Sequence, residues 1–228
     1  MRKFHKLAVS LTTAGILVAG LAACSTPAPA TPAPAESKAS ESKNTTPEPL
    51  ASIPALAGVD TKVALDAGFV EALTTLGLTP GVLGGATLTE GVLAFPITGG
   101  NVDYYDPQAS YRPYVQGEIQ HMGSGISLTA GATVVELTDF VIDPGNNSKL
   151  TGTVTANGEV VAEDVYIFNL DGSTLKPLTE DADGNAVLEG TTVLVSPDAA
   201  ALLNTTFGTD AVTDTLVVGI ATITAKAA

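Results

Sequence analysis

The chain has 228 residues and a formal net charge of −14 at pH 7, with one cysteine, two histidines and no tryptophan. One cysteine can form neither an intramolecular disulfide nor a cysteine-rich metal site. The acidic excess argues against nucleic acid as a partner, because phosphates need lysine and arginine for neutralisation. Residues 59–228 are long enough for a single globular domain with a sizeable core.

The first 23 residues have the parts of a secretory signal peptide. Basic residues precede an apolar run at 7–21, which is shorter than the about 20 residues that a membrane-spanning helix needs. The run ends in Leu21-Ala22-Ala23-Cys24, which resembles a bacterial lipobox. The resemblance implies cleavage before Cys24, lipidation of its thiol and anchoring of an exported protein to the outer face of the plasma membrane. The alternative is a secreted protein with an unmodified Cys24.

Residues 24–58 differ in composition from the rest of the chain. They are rich in proline, alanine and serine, and the alternating prolines of residues 27–34 exclude a helix and favour extended backbone. We therefore predict a disordered tether at 24–58 that carries the domain at 59–228 away from the membrane.

Two segments of the domain have helical spacing and helix-capping residues. Residues 66–77 begin with Asp66 as N-cap and end in glycine, and residues 196–208 begin with Ser196-Pro197 and also end in glycine. A β-like run precedes and follows each segment. Strand–helix–strand units are therefore expected at both ends of the domain.

Between these helices the sequence predicts strands and turns. Residues 117–121 and 125–129 read as two strands separated by a glycine-rich turn at 122–124, and Asn157-Gly158 is the strongest hairpin signal. Valine and threonine at this density suit a pleated, half-buried surface. We predict a mainly β fold with two short helices (α+β), built as an antiparallel sandwich or curved sheet. Further strands and turns are predicted at 133–142, 144–147, 149–155, 159–168 and 183–184.

The residue types available outside the signal peptide exclude much chemistry. His121 is then the only histidine, so a Cys–His pair and a zinc site of several histidines are impossible on one chain. A serine triad could still use His121, but Ser124 lies in Met-Gly-Ser-Gly and not in a Gly-x-Ser-x-Gly elbow. The acidic residues 180–185 partly resemble a calcium loop, yet Asp-Gly and Asn are ordinary turn residues. We predict no catalytic residue, no metal ligand and no enzymatic activity.

A tyrosine-rich segment is the most distinctive part of the domain. Four of the five tyrosines lie within residues 104–114. A tyrosine ring combines an apolar face with a hydroxyl and suits ligand recognition, although such rings also pack against a sheet edge. The predicted ligand-binding residues are Tyr104, Tyr105, Tyr111, Arg112, Tyr114 and His121.

The segment that follows carries a family resemblance. His121-Met-Gly123 enters a strand, and the runs at 134–142 and 150–154 continue the pattern. Together they resemble exported actinobacterial lipoproteins of unassigned function and, more distantly, the haem-transport-associated (HtaA-type) domains of that group. The resemblance implies a β-rich fold and haem bound through tyrosine and histidine, with His121 and one of the tyrosines of residues 104–114 as donors.

Three functions are left open by the sequence. The first is a non-enzymatic binding or structural module at the cell surface, with no cofactor and with a cell-wall component, small ligand or surface protein as partner. The second is binding of haem or another aromatic small molecule through the tyrosine-rich segment and His121. The third is a cell-wall hydrolase that would use acids such as Glu118 and Asp139.

Overall fold

Thirteen β-strands and two α-helices make up residues 46–228, the part of the chain that the computed structural model describes. The predicted signal peptide, Cys24 and the tether up to residue 45 lie outside the described residues. In chain order the elements are β1 (Ala51–Ile53), β2 (Leu56–Leu65), α1 (Ala67–Thr75), β3 (Thr79–Gly84), β4 (Thr87–Thr89), β5 (Val92–Pro96), β6 (Gly99–Tyr104), β7 (Val115–Ala130), β8 (Thr133–Asp143), β9 (Lys149–Ala156), β10 (Glu159–Asp171), β11 (Thr179–Glu180), β12 (Ala186–Val195), α2 (Pro197–Phe207) and β13 (Val217–Ala227).

The strands pair antiparallel throughout and form one curled sheet. Its order is β1-β6-β7-β8-β9-β10-β12-β13-β2-β5-β4, with β3 pairing β7 and β11 pairing β12 beside this path. The sheet curls into an open half-barrel, which confirms the predicted mainly β fold with two helices in its curved-sheet form. Within residues 46–228, neither helix is long and apolar enough to cross a membrane.

Both helices begin and end as their capping residues predict. Asp66 accepts a hydrogen bond from the Gly68 N–H at 2.8 Å, and Ser196 Oγ accepts one from the Ala199 N–H at 3.0 Å. These side chains satisfy N–H groups that a helix leaves without an intrahelical partner. Gly208 ends α2 in the left-handed conformation at φ 66°. The strands that precede the helices, β2 and β12, both pair with β13.

The predicted glycine-rich turn at 122–124 is wrong, because β7 runs through it as one strand of 16 residues. Its register with β8 shifts between His121 and Gly125, which marks a bulge. Gly123 supplies the positive φ of 72° that this bulge requires. Glycine-rich sequence therefore marks an irregularity within a strand here and not the end of one.

The sheet also begins earlier than the predicted domain boundary at residue 59. β1 lies within the predicted tether 24–58 and pairs with β6, with Ser52 Oγ donating to Asp103 Oδ1 at 2.5 Å. β1 is a short edge strand that ends immediately before Pro54. Proline is tolerated next to an edge strand. The proline-rich composition of this segment therefore predicts a tether although it contains a strand. The described part of the tether therefore belongs partly to the sheet.

Candidate ligand cavity

A cavity of about 480 Å³ lies inside the curled sheet. Ten of the thirteen strands line it, all except β3, β4 and β11, and α1 adds Phe69. Folded cores rarely contain voids larger than a water molecule, whereas ligand pockets span about 300–1,000 Å³. The size therefore fits a binding site better than a packing defect. Its apolar walls include Val63, Leu93, Phe95, Ile119, Phe140 and Leu150.

Three loops contribute the exposed residues of the lining, whereas the polar residues Thr61, His121 and Thr191 belong to strands. They are the β6–β7 segment at 105–114, the β8–β9 turn at 144–148 and the β10–β11 loop at 172–178. The exposed residues of this lining are Arg112, Asn146, Asn147 and Gly172, and we call these four residues the rim. Among the described residues that line the cavity, Arg112 is the only one with a charged side chain.

The tyrosine-rich segment divides into two ring pairs. Tyr104 and Tyr114 line the cavity and pack edge to face, with ring centroids 6.0 Å apart. Tyr105 and Tyr111 form a second edge-to-face pair at 4.7 Å and do not line the cavity. The Tyr105 N–H donates to the Tyr114 carbonyl at 2.7 Å and joins the two ends of the segment.

Arg112 holds the same segment together through its guanidinium. Nη1 donates to the carbonyls of Ala109 at 2.6 Å and Tyr111 at 2.7 Å, and Nη2 donates to the Pro107 carbonyl at 2.9 Å. The guanidinium carbon also lies 5.5 Å from the Tyr114 ring centroid, within the range of a cation–π contact. These contacts fix the position of the charge at the rim.

Two phenols of the segment, those of Tyr105 and Tyr114, are held in their protonated form. Burial, reinforced by neighbouring Tyr104, raises the pKa of Tyr114, and the charge of Arg112 partly opposes the rise. Burial also raises the pKa of Tyr105, together with the charge of Asp103. At neutral pH these side chains can therefore donate and accept hydrogen bonds as neutral phenols.

The bulge in β7 and an irregularity in β8 together set the position of His121. Opposite the bulge, Asp139 has a positive φ of 55°, and its Oδ1 accepts a hydrogen bond from the Gly123 N–H at 2.8 Å. Ser124 Oγ donates to the His121 carbonyl at 3.0 Å. Bulges redirect side chains, and here the redirected residue lines the cavity as the cross-strand partner of Phe140.

The His121 side chain is buried, and only one of its two ring nitrogens has a hydrogen-bond partner among the described residues. Its side chain is 1% exposed, and Nε2 shares a 2.8 Å hydrogen bond with Thr61 Oγ1. Nδ1 is buried and has no hydrogen-bond partner among the described residues. Burial lowers the pKa of His121 to about 4, and a backbone contact with Phe140 opposes this shift. The imidazole is therefore neutral at pH 7.

The structure thus brings four of the six predicted site residues to one cavity: Tyr104, Arg112, Tyr114 and His121. Their role in ligand binding stays a prediction. The sequence reasoning missed Thr61, which looks like an ordinary strand residue, and Phe95, which packs edge to face against His121 at 6.5 Å. In the sequence, each residue belongs to an apolar run that predicts a strand. That run does not indicate which other strand it faces, so the contact with His121 could not be predicted.

The acidic residues considered at the sequence level lie elsewhere. Neither Glu118 nor Asp139 lines the cavity. Glu118 is exposed and hydrogen-bonded to Gln120. Asp139 accepts a hydrogen bond from the Gly123 N–H in the β7 bulge. The acidic residues 180–185 form a turn in which Asp181 accepts hydrogen bonds from the side chain and backbone N–H of Asn185. These hydrogen bonds lower the pKa of Asp181 from its ordinary value.

Comparison with known proteins identifies a fold. Neither a family model nor a curated protein matches this chain. The C-terminal domain of HtaA from Corynebacterium glutamicum superposes with a TM-score of 0.52 and 14% sequence identity, over 75% of this chain and 97% of that domain. The heme-binding protein HtaB from the same organism gives 0.49 and 8%, over 77% of this chain and 96% of HtaB. The likeness to HtaA is one of fold, and it agrees with the HtaA-type resemblance in the sequence.

Proposed function

We propose that the domain is a non-enzymatic binding module that takes up an apolar small molecule in the cavity of its curled sheet. The observation that carries this proposal is a cavity of about 480 Å³ whose walls are apolar and whose charged and exposed residues lie at one rim. Ligand pockets characteristically combine mostly apolar walls with a few placed polar groups. The cavity lining contains no carboxylate among the described residues, so it offers no support for the hydrolase alternative.

An environment-sensitive apolar fluorophore tests this proposal. We expect saturable one-to-one binding of a naphthylamine probe to the purified protein, with a rise in melting temperature as the probe concentration increases, because a ligand that binds only the folded state stabilises it. Displacement of the probe by non-fluorescent apolar molecules would support a shared site. Non-saturable fluorescence without thermal stabilisation would contradict the proposal.

Haem is a second candidate because Tyr104, Tyr114 and His121 line the same cavity. Phenol and imidazole groups are both known axial ligands of haem iron. His121 is neutral, and its Nδ1 lacks a hydrogen-bond partner among the described residues, so the residues present fit haem in donor type. The HtaA-type resemblance of the sequence points to the same ligand. Haem would then be bound as cargo, with Tyr104, Tyr114 or His121 as the donor.

Titration with hemin separates this candidate from uptake of other apolar molecules. We expect a Soret band that is lost when Tyr104→Phe and Tyr114→Phe are combined with His121→Ala. The matched control is the pair Tyr105→Phe and Tyr111→Phe, which removes two phenols from the same segment but outside the cavity lining. No band with the unmodified protein, or equal bands in both sets of variants, would exclude haem as a ligand of this cavity.

The setting of the module is the outer face of the plasma membrane, with a lipid on Cys24 as the anchor. The lipobox-like sequence supports this, and the charge of −16 over residues 60–228 would repel anionic headgroups, so the lipid would carry the membrane contact. Mass spectrometry of the native protein tests the anchor: we expect a chain that begins at an acylated Cys24. An unmodified Cys24, or cleavage at another residue, would contradict it.

A further inference from the structure

Arg112 carries a positive charge at the rim, and no carboxylate among the described residues forms an ion pair with it. Within residues 46–228 the ion pairs are Lys62 with Asp60 and Lys176 with Glu189, and neither involves Arg112. Residues 60–228 contain 21 acidic and only five basic side chains. Arg112, Lys149 and Lys226 have no ion-pair partner among the described residues, and of these three only Arg112 lines the cavity. Its charge is therefore available to a bound molecule.

The guanidinium also keeps hydrogen-bond donors free. An arginine side chain has five N–H groups, and the carbonyls of the 105–114 segment accept three of them. The other two have no acceptor among the described residues. A planar guanidinium can bind a carboxylate or phosphate with two parallel hydrogen bonds. Because the loop carbonyls already hold Arg112 in place, binding an anion would immobilise little additional side chain.

The polarity of the cavity lining changes from the interior to the rim. The interior walls are formed by residues such as Phe95, Ile119 and Phe140, whereas the rim contributes Arg112 and the amide side chains of the 144–148 turn. We infer that the cavity takes an amphipathic molecule with an apolar chain and one anionic end group, which Arg112 binds at the rim. This inference rests on the proposed uptake of an apolar ligand. If Arg112 served only to brace the loop, the three carbonyl contacts would be its whole function, and ligand charge would not matter.

The net charge of the ligand follows from the count of cations. One arginine neutralises one anionic group, and the surrounding acidic domain disfavours a second. A long-chain carboxylate carries one negative charge, whereas a long-chain phosphate monoester carries about 1.5 to 2 at pH 7. Both present oxygens that a guanidinium can bind. Carboxylate and phosphate ligands of equal chain length therefore enter the test as separate arms.

The test measures how much binding depends on the end group. Dissociation constants are determined by displacement of the apolar fluorophore with alkyl carboxylates, alkyl phosphates, alcohols and amines of matched chain length, at low salt. For the unmodified protein we expect at least about tenfold tighter binding of an anion than of the alcohol, since hydrogen bonds to charged groups are the stronger ones. In Arg112→Gln we expect the anion-to-alcohol ratio to fall to about one, and in Arg112→Lys to stay above one. High salt should reduce the ratio of the unmodified protein.

The ratio within each variant cancels any general effect of the substitution on loop structure or folding. Lys226→Gln is the matched control, because it removes an exposed positive charge from a residue outside the cavity lining, and it should leave the ratio unchanged. Equal binding of anion and alcohol by the unmodified protein, or the same ratio in Arg112→Gln, would overturn the inference while leaving apolar uptake intact. If neither the alcohol nor the anion binds, both the proposed function and the inference fail.

Discussion

The free energy of unfolding is expected to fall by about 3 kcal/mol through His121 alone as the pH is lowered from 6.5 to about 4. Burial lowers the pKa of this histidine in the folded state from the ordinary value of 6.5 to about 4. Between these two values the unfolded chain binds more protons, so acid favours unfolding. The stability that the neutral imidazole contributes is complete above pH 6.5 and is lost as the pH approaches 4.

Urea denaturation at several pH values checks this expectation. Because carboxylates also titrate below pH 5, the informative quantity is the difference between the unmodified protein and His121→Gln, which keeps a polar side chain but does not titrate in this range. We expect the difference in unfolding free energy to change by about 3 kcal/mol between pH 6.5 and 4. A difference that is constant across the window would show that His121 is not buried as a neutral group.

Filling the cavity with larger side chains is expected to raise the free energy of unfolding and to lower the affinity for an apolar ligand. Ala221 and Ala225 lie on β13, are buried and line the cavity. Leucine at both positions places additional apolar groups in open space, which should raise the unfolding free energy by about 1 kcal/mol, as cavity-filling substitutions commonly do. The same side chains occupy the volume that an apolar ligand needs. We therefore expect the affinity for the apolar fluorophore to fall at least about tenfold, a loss of 1.4 kcal/mol or more of binding free energy.

The matched control is Ala162→Leu, at a partly buried position of β10 that does not line the cavity. It should leave fluorophore affinity unchanged. A double variant that is destabilised and binds weakly would indicate overpacking and not occupation of a ligand site. A double variant that binds the fluorophore as tightly as the unmodified protein would place the fluorophore outside the cavity.

Helix starts and tight turns can be predicted from the sequence because they depend on residues close together in the chain. Asp66 and Ser196 mark the helix starts, and Asn157-Gly158 joins β9 to β10 as a two-residue hairpin, because capping and turn geometry are set within a few residues. The strand order is not local. β13 pairs with β2 from the other end of the domain, and no pattern within either strand specifies that partner.

The same distinction applies to the candidate site. The tyrosine-rich segment stands out because its members are neighbours in sequence, and Tyr104 and Tyr114 do line the cavity. The contact between His121 and Thr61 joins residues 60 positions apart and depends on the curl of the sheet. The cavity itself has no sequence signature, since its lining residues are the alternating apolar positions that any buried sheet face contains.

The position of β13 has a consequence for how the chain reaches this fold. β13, a strand of 11 residues, lies between β12 and β2. Among the described strands, it is the one whose pairing joins the β2-β5-β4 part of the sheet to the remainder. During synthesis from the N-terminus, the edge of β2 that pairs with β13 stays unpaired until almost all of the domain has been synthesised. Such distant pairing is slow, and exposed strand edges recruit other chains. Proteolytic loss of β13 would therefore divide the sheet and expose two new edges.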